Sequence, residues 1–386
     1  MRLTVVSRIF APEPSAASFR LRAVVNSASR SGHEVTVLTS TAPEALRQVV
    51  SDLGPRVRVR RAPVLRDKAG YVRGYLQYMS FDLPVLFRLL TGRRPDVVLV
   101  EPPPTTGSVV RIVCAIRRIP YVYYAADVWS DAARMTGAPS AVVSVVRAME
   151  KFAMRGARRL LSVSTGVTER LGEWGLATHA VTVGNGIDLE QFRAEGEAAD
   201  LGAPYFVYAG TASEVHGAII FADAFERLLA TNPDARLVFV GQGAEWDAIA
   251  EVASRLPDGS IVMKPRMEPE QVAVWLRGAC ASLASVRTGG GYDFAFPTKI
   301  YASAACGTPV IYAGTGPGHR FVDESPAGDA VPYDVAAVTA AMRRSLESRV
   351  DIEQRRAIAR WAAETVDIDL VAARAVDVLA SESRPV

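Results

Sequence analysis

The sequence predicts an α/β protein built from two doubly wound parallel sheets. Three observations carry that expectation. The chain is 386 residues long, about two to three times an ordinary domain. Apolar runs of strand length alternate with amphipathic stretches of helix length along all of it. The charge balance reverses part-way: up to Glu190 there are 26 basic and 15 acidic residues, and beyond it 18 and 26, so the halves carry +11 and −8.

In the first half the expected strands are Leu3–Ser7, Val35–Thr39, Val57–Arg60, Val97–Val100, Tyr121–Ala125 and Leu160–Val163, with helices in most of the gaps. Val181 to Asp188 joins a short strand to an Asn185-Gly186 turn, and an acidic stretch runs on to Gly202. The first domain is therefore expected over 1–188. A second series, with strands near Phe206–Ala209, Leu237–Gly241, Ile261–Met263, Ala281–Val286 and Val310–Ala313, defines a domain over 189–366. Segment 367–386 reads as a terminal amphipathic helix through Leu370, Val371, Ala375, Val378 and Leu379. Open parallel sheets bind ligands outside the carboxyl ends of their strands, so two facing sheets would share a cleft.

Composition excludes several classes. With 49% hydrophobic and 22% charged residues the chain is neither disordered nor fibrous. Cys114, Cys280 and Cys306 are far apart and lack metal-ligand spacing, which argues against a disulfide framework or structural zinc and fits a reducing, cytoplasmic compartment. The run Leu3–Ser7 is too short for an export signal, and the uncharged stretch 300–318 is broken by Gly and Pro, so no membrane span is expected. The +11 half suits an acidic substrate or an anionic membrane surface, where the amphipathic run Tyr71 to Leu90 would also fit; a buried crossover helix explains that run equally well. Dispersed basic residues without an aromatic platform argue against nucleic acid.

Candidate chemistry begins after the first strand. Phe10 to Ser18 is a loop rich in Pro and small residues that opens a helix near Phe19. Glu13, Ser15 and Ala16 lie where helix N-terminal amides can hold a polar ligand, although a plain turn with a serine cap fits equally. Arg20 and Arg22 oppose the helix dipole, which favours an anion nearby. Asp127 and Trp129 stand at the end of a central strand; Asp127 either bonds a ligand hydroxyl, acts as a base, or caps the next helix.

In the second half Gly210-Thr211 with His216-Gly217, Gly241-Gln242-Gly243 and Gly314 to Gly318 each follow a strand. Such turns admit phosphate or a ring to the backbone, or are simple loops. None is a GxGxxG or phosphate-loop signature, so redox-cofactor and P-loop chemistry are not supported. Arg287 to Lys299 gathers Gly289, Gly290 and Gly291 with Tyr292, Asp293, Phe294, Phe296 and Pro297-Thr298-Lys299. Lys299, one of only four lysines with Lys68, Lys151 and Lys264, opposes a helix dipole unless an anion intervenes, which makes a diphosphate an attractive partner; a solvated lysine is the alternative. Asp367-Ile368-Asp369 spells a metal-type DxD but reads as a helix start, and the four histidines lack ligand spacing, so no metal is expected.

These residues resemble the family 4 glycosyltransferases, retaining enzymes of the two-domain GT-B fold, in members of the polysaccharide and natural-product type. Ser31 to Thr39 is similar to the family's Gly-His-Glu-Val-x-Val-Leu-Thr strand, and Asp127-Val128-Trp129 to its Asp-Leu-Trp. Val183 to Phe192 resembles its hinge, Pro-Asn-Gly-Val-Asp-x-x-x-Phe. Gly210 with His216-Gly217, Gly241-Gln242-Gly243, and Pro297-Thr298-Lys299 leading to Ala305 to Val310 resemble its donor-side motifs in order.

The resemblance implies two Rossmann-like domains facing a cleft, a C-terminal helix crossing back to the first, and metal-independent transfer from a nucleotide-sugar donor to a glycan, lipid-linked or small-molecule acceptor. It assigns Asp127 and Lys299 to catalysis. It places Gly210, Thr211, His216, Gly241, Gly243, Arg266, Arg287, Asp293, Thr298 and Lys299 at the donor, and Glu13, Ser15, Ala16, Asp127 and Trp129 at the acceptor. No cofactor is implied. The sequence also departs from the pattern. Phe294 and Ala302 stand where the family has paired glutamates, Thr211 replaces an arginine and His216 a lysine; Asp293 is left to substitute for the first carboxylate. A catalytically degenerate partner protein, a nucleotide-sugar epimerase or a pseudo-glycosyl coupling enzyme therefore stay open as alternatives.

Overall fold

The computed structural model describes residues 1–13, 15–49, 52–67, 70, 72, 74–135, 137–289 and 293–383. Of the positions singled out above, Pro14, Lys68, Tyr71 and 290–292 lie outside the described residues. The chain packs into two units, Met1–Asn185 with Ile368–Val386, and Gly186–Asp367.

The first unit begins β1 (Arg2–Val6), α1 (Ala16–Arg30), β2 (Glu34–Ser40), β3 (Val57–Ala62), α2 (Tyr75–Thr91), β4 (Val97–Val100) and α3 (Pro104–Arg117). It continues β5 (Tyr121–Ala125), α4 (Trp129–Met135), α5 (Ser140–Arg155), β6 (Arg159–Ser162), α6 (Thr165–Gly172) and β7 (Ala180–Thr182). The strands form one sheet in the order β3-β2-β1-β4-β5-β6-β7, with every pairing parallel. Every residue of β4 and β5 is buried, as expected of parallel strands covered on both faces. Helix α1 starts three residues before Phe19. Ser15 accepts the Ser18 N–H at 3.1 Å, and Ala16 and Ala17, strong helix formers without an amphipathic signature, make up the first turn.

The second unit runs β8 (Tyr205–Thr211), α7 (Ile219–Leu229), β9 (Arg236–Gln242), α8 (Trp246–Ser254), β10 (Ile261–Lys264), α9 (Pro269–Gly278) and β11 (Ala281–Ser285). There follow α10 (Lys299–Ala305), β12 (Val310–Ala313), α11 (Gly316–Asp323), β13 (Gly328–Val331), α12 (Val335–Glu347) and α13 (Ile352–Thr365). Its sheet order is β10-β9-β8-β11-β12-β13, again parallel throughout. The pattern gave no signal for β13: Gly-Asp-Ala-Val has one β-branched residue, and it is a strand because Gly328 pairs in register with Val310 at the sheet edge. Phe206, Tyr208, Phe221, Phe225 and Phe239 fill the core between β8, β9 and α7.

The last helix, α14 (Ile368–Glu382), belongs to the first unit. Ala372, Ala375, Val376 and Leu379 enter the cluster that holds Leu21, Val24, Val37 and Tyr124. In each sheet the strand order reverses once, between β1 and β4 and between β8 and β11. Ligands of open α/β sheets bind at the carboxyl ends beside such reversals.

Candidate functional site

In the second unit the β8 side of the reversal point is flanked by the end of the neighbouring strand β9. Gly210 and Thr211 of β8 pair in register with Gly241 and Gln242 of β9. Gly241 has φ +146° and Gly243 φ +152°, and a Cβ at either would overlap a carbonyl oxygen, of Gly210 and Ala212 respectively. Only glycine lets these turns lie so close.

Lys299 opens α10, and its side chain returns to the end of β8. A Cβ on Gly210 would lie 3.3 Å from Lys299 Cε, and Nζ stands 3.6 Å from the centroid of the Tyr208 ring. The Nζ atom is shielded from solvent and has no hydrogen-bond partner among the described residues. Burial pulls its pKa down to about 7. His216 is pushed down to about 4, by burial first and then by the Lys299 charge, so it is neutral at pH 7; its Nδ1 and the Ser213 hydroxyl are 2.7 Å apart.

Arg287 follows β11, and its Nη2 donates to Glu245 Oε1 at 2.6 Å, while Oε2 of the same carboxylate accepts the Ile219 N–H at 3.1 Å. Asp293 Oδ1 accepts the Gly289 N–H at 3.3 Å and the Thr315 hydroxyl at 3.4 Å. Gly210, Thr211, His216, Gly241, Gly243 and Lys299 thus converge at the ends of β8 and β9. Arg287 joins them through Gly217, and Asp293 stands beside the β12 end. Thr298 is exposed in the turn before α10. Arg266 is exposed beyond the edge strand β10, two strands from β8.

In the first unit, Glu13 is held by Arg66 through two parallel bonds of 2.9 and 3.0 Å, Ser15 caps α1, and Ala16 is that helix's first residue. The anion that Arg20 requires is internal. It is the buried Glu101 carboxylate at the end of β4, with Asn185 Oδ1 at 2.8 Å as the second acceptor and the Tyr124 ring 4.8 Å away. Arg20 therefore does not signal a bound ligand.

Asp127 Oδ1 accepts the Val128 N–H at 2.7 Å, and burial raises its pKa. It does not cap α4. The first amides of that helix, Trp129 N–H and Ser130 N–H, go to Glu150 Oε1 and Oε2 at 2.7 and 3.1 Å. Burial lifts the Glu150 carboxyl to about 7. Trp129 meets Tyr78 edge-on at 5.8 Å, and the Arg8 guanidinium lies 5.3 Å from the Tyr78 ring and 5.5 Å from that of Trp129.

Residues 15–186 match the family model described as Glycosyl transferase 4-like domain, and residues 203–348 match Glycosyl transferases group 1. The chain is a glycosyltransferase of the GT-B fold. Solved structures share that fold at low identity. A sucrose-phosphate synthase from Thermosynechococcus elongatus aligns at TM-score 0.75 and 16% identity, covering 98% of each chain. Anabaena HepE in complex with UDP-glucose aligns at 0.69 and 16%, covering 99% of this chain and 100% of the other. The catalytic domain of Starch Synthase IV from Arabidopsis thaliana, bound to ADP and acarbose, aligns at 0.74 and 11%, covering 99% of each. No curated protein matches the chain.

In this GT-B glycosyltransferase, Ala302 sits 8% exposed in an apolar cluster with Val207, Val238 and Cys306, so that position carries no polar contact. Glu245, Glu150 and Glu101 are the functional-looking carboxylates that sequence reasoning missed. Glu245 follows Gly243 by two residues, and that spacing was the one available signal; Glu150 and Glu101 act over separations of 20 and more residues that no local pattern reveals. Among the described residues no group of three His, Cys, Asp or Glu side chains is placed to hold a metal, and Asp369 is bonded to Arg30 at 2.7 Å. All three cysteines are buried and free. No helix among the described residues is long and apolar enough to cross a membrane.

Proposed function

We propose that this chain moves a sugar from a nucleotide diphosphate donor to an acceptor hydroxyl, with retention at the anomeric carbon and without a metal. The observation that carries the proposal is the buried Lys299 ammonium, which among the described residues has no hydrogen-bond partner at the strand ends where Gly210, Gly241 and Gly243 leave the backbone open. A buried cation without a counter-charge is costly, and an arriving diphosphate turns that cost into binding. As the sugar–phosphate bond breaks, negative charge builds on the leaving oxygen, and a fixed cation in a water-poor site stabilises it. The departing phosphate takes the acceptor proton, so no protein nucleophile is required. Arg266, Arg287 and Thr298 are assigned to the outer part of the diphosphate and Asp293 to the sugar.

In this proposal residues 189–366 hold the donor. Residues 1–188 hold the acceptor through Glu13, Ser15, Ala16, Asp127 and Trp129, and 367–386 complete the first domain. The UDP-glucose and ADP complexes of HepE and Starch Synthase IV support a nucleoside diphosphate as leaving group. The acceptor is a glycan, a lipid-linked saccharide or a small molecule, and a lipid-linked one implies peripheral work at the inner face of the cytoplasmic membrane. Thermal denaturation of the purified chain with UDP, GDP, ADP, CDP or dTDP, with and without Mg²⁺, tests this, since a ligand of the folded state raises the midpoint. A metal-independent rise with one nucleotide supports the transferase. No rise with any of them contradicts it.

The apolar setting of Ala302 favours a second reading, a partner protein that kept the fold and lost catalysis. A protein from Listeria monocytogenes described as a UDP-N-acetylglucosamine 2-epimerase by assignment, with the same fold at TM-score 0.64 and 13% identity over 98% of this chain and 96% of the other, makes an altered donor sugar a further alternative. Product analysis separates them, because only transfer releases a nucleoside diphosphate along with a glycosylated acceptor.

A further inference from the structure

Helix α2 is apolar on both sides. Phe81, Val85 and Leu89 face the core, whereas Tyr75, Leu76, Met79, Leu83 and Phe87 are exposed, the last at 61%. Leu76, Met79, Leu83 and Phe87 recur at spacings of three and four, so they form one outward stripe. A helix that only crossed over the sheet would turn polar residues to water. Its neighbours continue the pattern. Helix α3 packs on α2 and exposes Ile112 and Ile116, and α5 packs on α3 and exposes Val142, Val145 and Phe152.

The unburied charges on these three helices have one sign. Arg88, Arg111, Arg117, Arg147, Lys151 and Arg155 are their cations. Their acids are Asp82 and Glu150, both buried. Among the described residues the one ion pair of these cations is Arg147–Asp131 at 3.6 Å; Arg88 and Arg111 bond backbone carbonyls, which leaves their charge uncompensated. Beside the C-terminal end of α2 lies a cavity of about 340 Å³, lined by Arg58, Arg60, Arg88, Arg93 and Arg94, in which Glu34 is the only carboxylate among the described lining residues.

We propose that the outer face of α2, α3 and α5 docks on an anionic lipid bilayer, with the apolar stripe at the acyl boundary and the arginines among the headgroups. Apolar side chains interleaved with cations suit that surface. A second copy of the chain is disfavoured because a two-fold contact would bring like arginines together. The face contains none of the residues placed at the donor. It deepens the proposed function only in the acceptor class, since it rests on that reading for a lipid-linked acceptor.

The test is flotation of the purified full chain with phosphatidylcholine vesicles and with vesicles containing phosphatidylglycerol, at low and high salt, in the absence of nucleotide. The expected result is binding to the anionic vesicles alone, weakened by salt. Leu83→Glu with Phe87→Glu should abolish it, and Arg93→Ala with Arg94→Ala should weaken it by about fivefold per cation removed. Both positions are on the surface, so each variant should keep its parent's thermal midpoint and its nucleotide-induced shift. Folded protein that stays off anionic vesicles overturns the proposal, as does a dimer in light scattering that Leu83→Glu with Phe87→Glu dissociates. Vesicle binding by a chain that takes no nucleotide would uphold the docking face while contradicting the transferase.

Discussion

The Lys299 ammonium lies over the Tyr208 ring, 3.6 Å from its centroid, and among the described residues no group offsets its charge by a hydrogen bond. The ring face supplies about 2 kcal/mol or somewhat more to a desolvated cation, still less than full burial of a charge costs. The free protein therefore holds this lysine at a disadvantage that an anion relieves.

Lys299→Met should separate stability from binding. The free variant is expected to melt at a higher temperature than the parent, because an unmet charge is gone. Its affinity for a nucleoside diphosphate should fall roughly tenfold to a hundredfold, the scale of a lost charge-assisted bond. Scanning calorimetry and titration calorimetry read the two effects; a variant that is less stable yet binds as well would contradict the role assigned here.

The same lysine sets a pH dependence. Folding lowers its pKa from 10.5 to about 7, so between these values the unfolded chain binds more protons than the folded one. Its contribution to stability therefore improves as pH rises through that window, and below pH 7 the folded lysine carries its full cost. A bound diphosphate reverses the preference and raises the pKa. Binding then takes up a proton above pH 7, and nucleotide affinity should weaken by up to about tenfold per pH unit between 7 and 9. Titrations in buffers of different ionisation enthalpy would detect the proton, and Lys299→Met should flatten the profile.

Gly243→Ala should be poorly tolerated, since φ is +152° and the new methyl overlaps the Ala212 carbonyl. A loss on the order of 1–3 kcal/mol, with loss of the nucleotide-induced thermal shift, is expected. Gly172→Ala, at the end of α6 with its nearest neighbour 3.7 Å away, is the control and should be neutral or slightly stabilising. Urea denaturation distinguishes the two.

Arg20→Met leaves the buried Glu101 carboxylate without its cation and should cost about 3–5 kcal/mol. Adding Glu101→Gln should restore part of that loss, because the uncompensated charge disappears. A double-mutant cycle in urea gives the coupling, and two independent losses would contradict a shared network.

Glu150→Ala removes the acceptor for two amides at the start of α4. A loss of about 1–3 kcal/mol is expected, with local exposure of Trp129. Hydrogen exchange at Trp129 and Ser130 would locate it.

The strands were legible because parallel β-structure writes itself as short apolar runs, and Val97–Val100, Tyr121–Ala125 and Val310–Ala313 are found at those very residues. The start of α1 was not, because Ala16 and Ala17 have no hydrophobic period to report. Helix α2 was ambiguous in principle: a segment apolar all round has the same sequence whether its outer side meets protein, lipid or water. Lys299 was legible through an electrostatic misfit at a helix start. Arg20 showed the same misfit, yet its answer lay 81 residues away in Glu101. Local charge logic states that a counter-charge is needed; only the fold says whether the chain itself provides it.

The return of α14 to the first unit also has a temporal side. A ribosome delivers Met1–Asn185 long before Ala372, Ala375, Val376 and Leu379 exist to cover Leu21 and Val24. The second unit is contiguous in sequence, so its core can close while the first still lacks a wall. The earlier half therefore keeps an apolar surface open until α14 has been made and has left the exit tunnel. Synthesis of this protein should accordingly lean on chaperones that shield its amino-terminal portion.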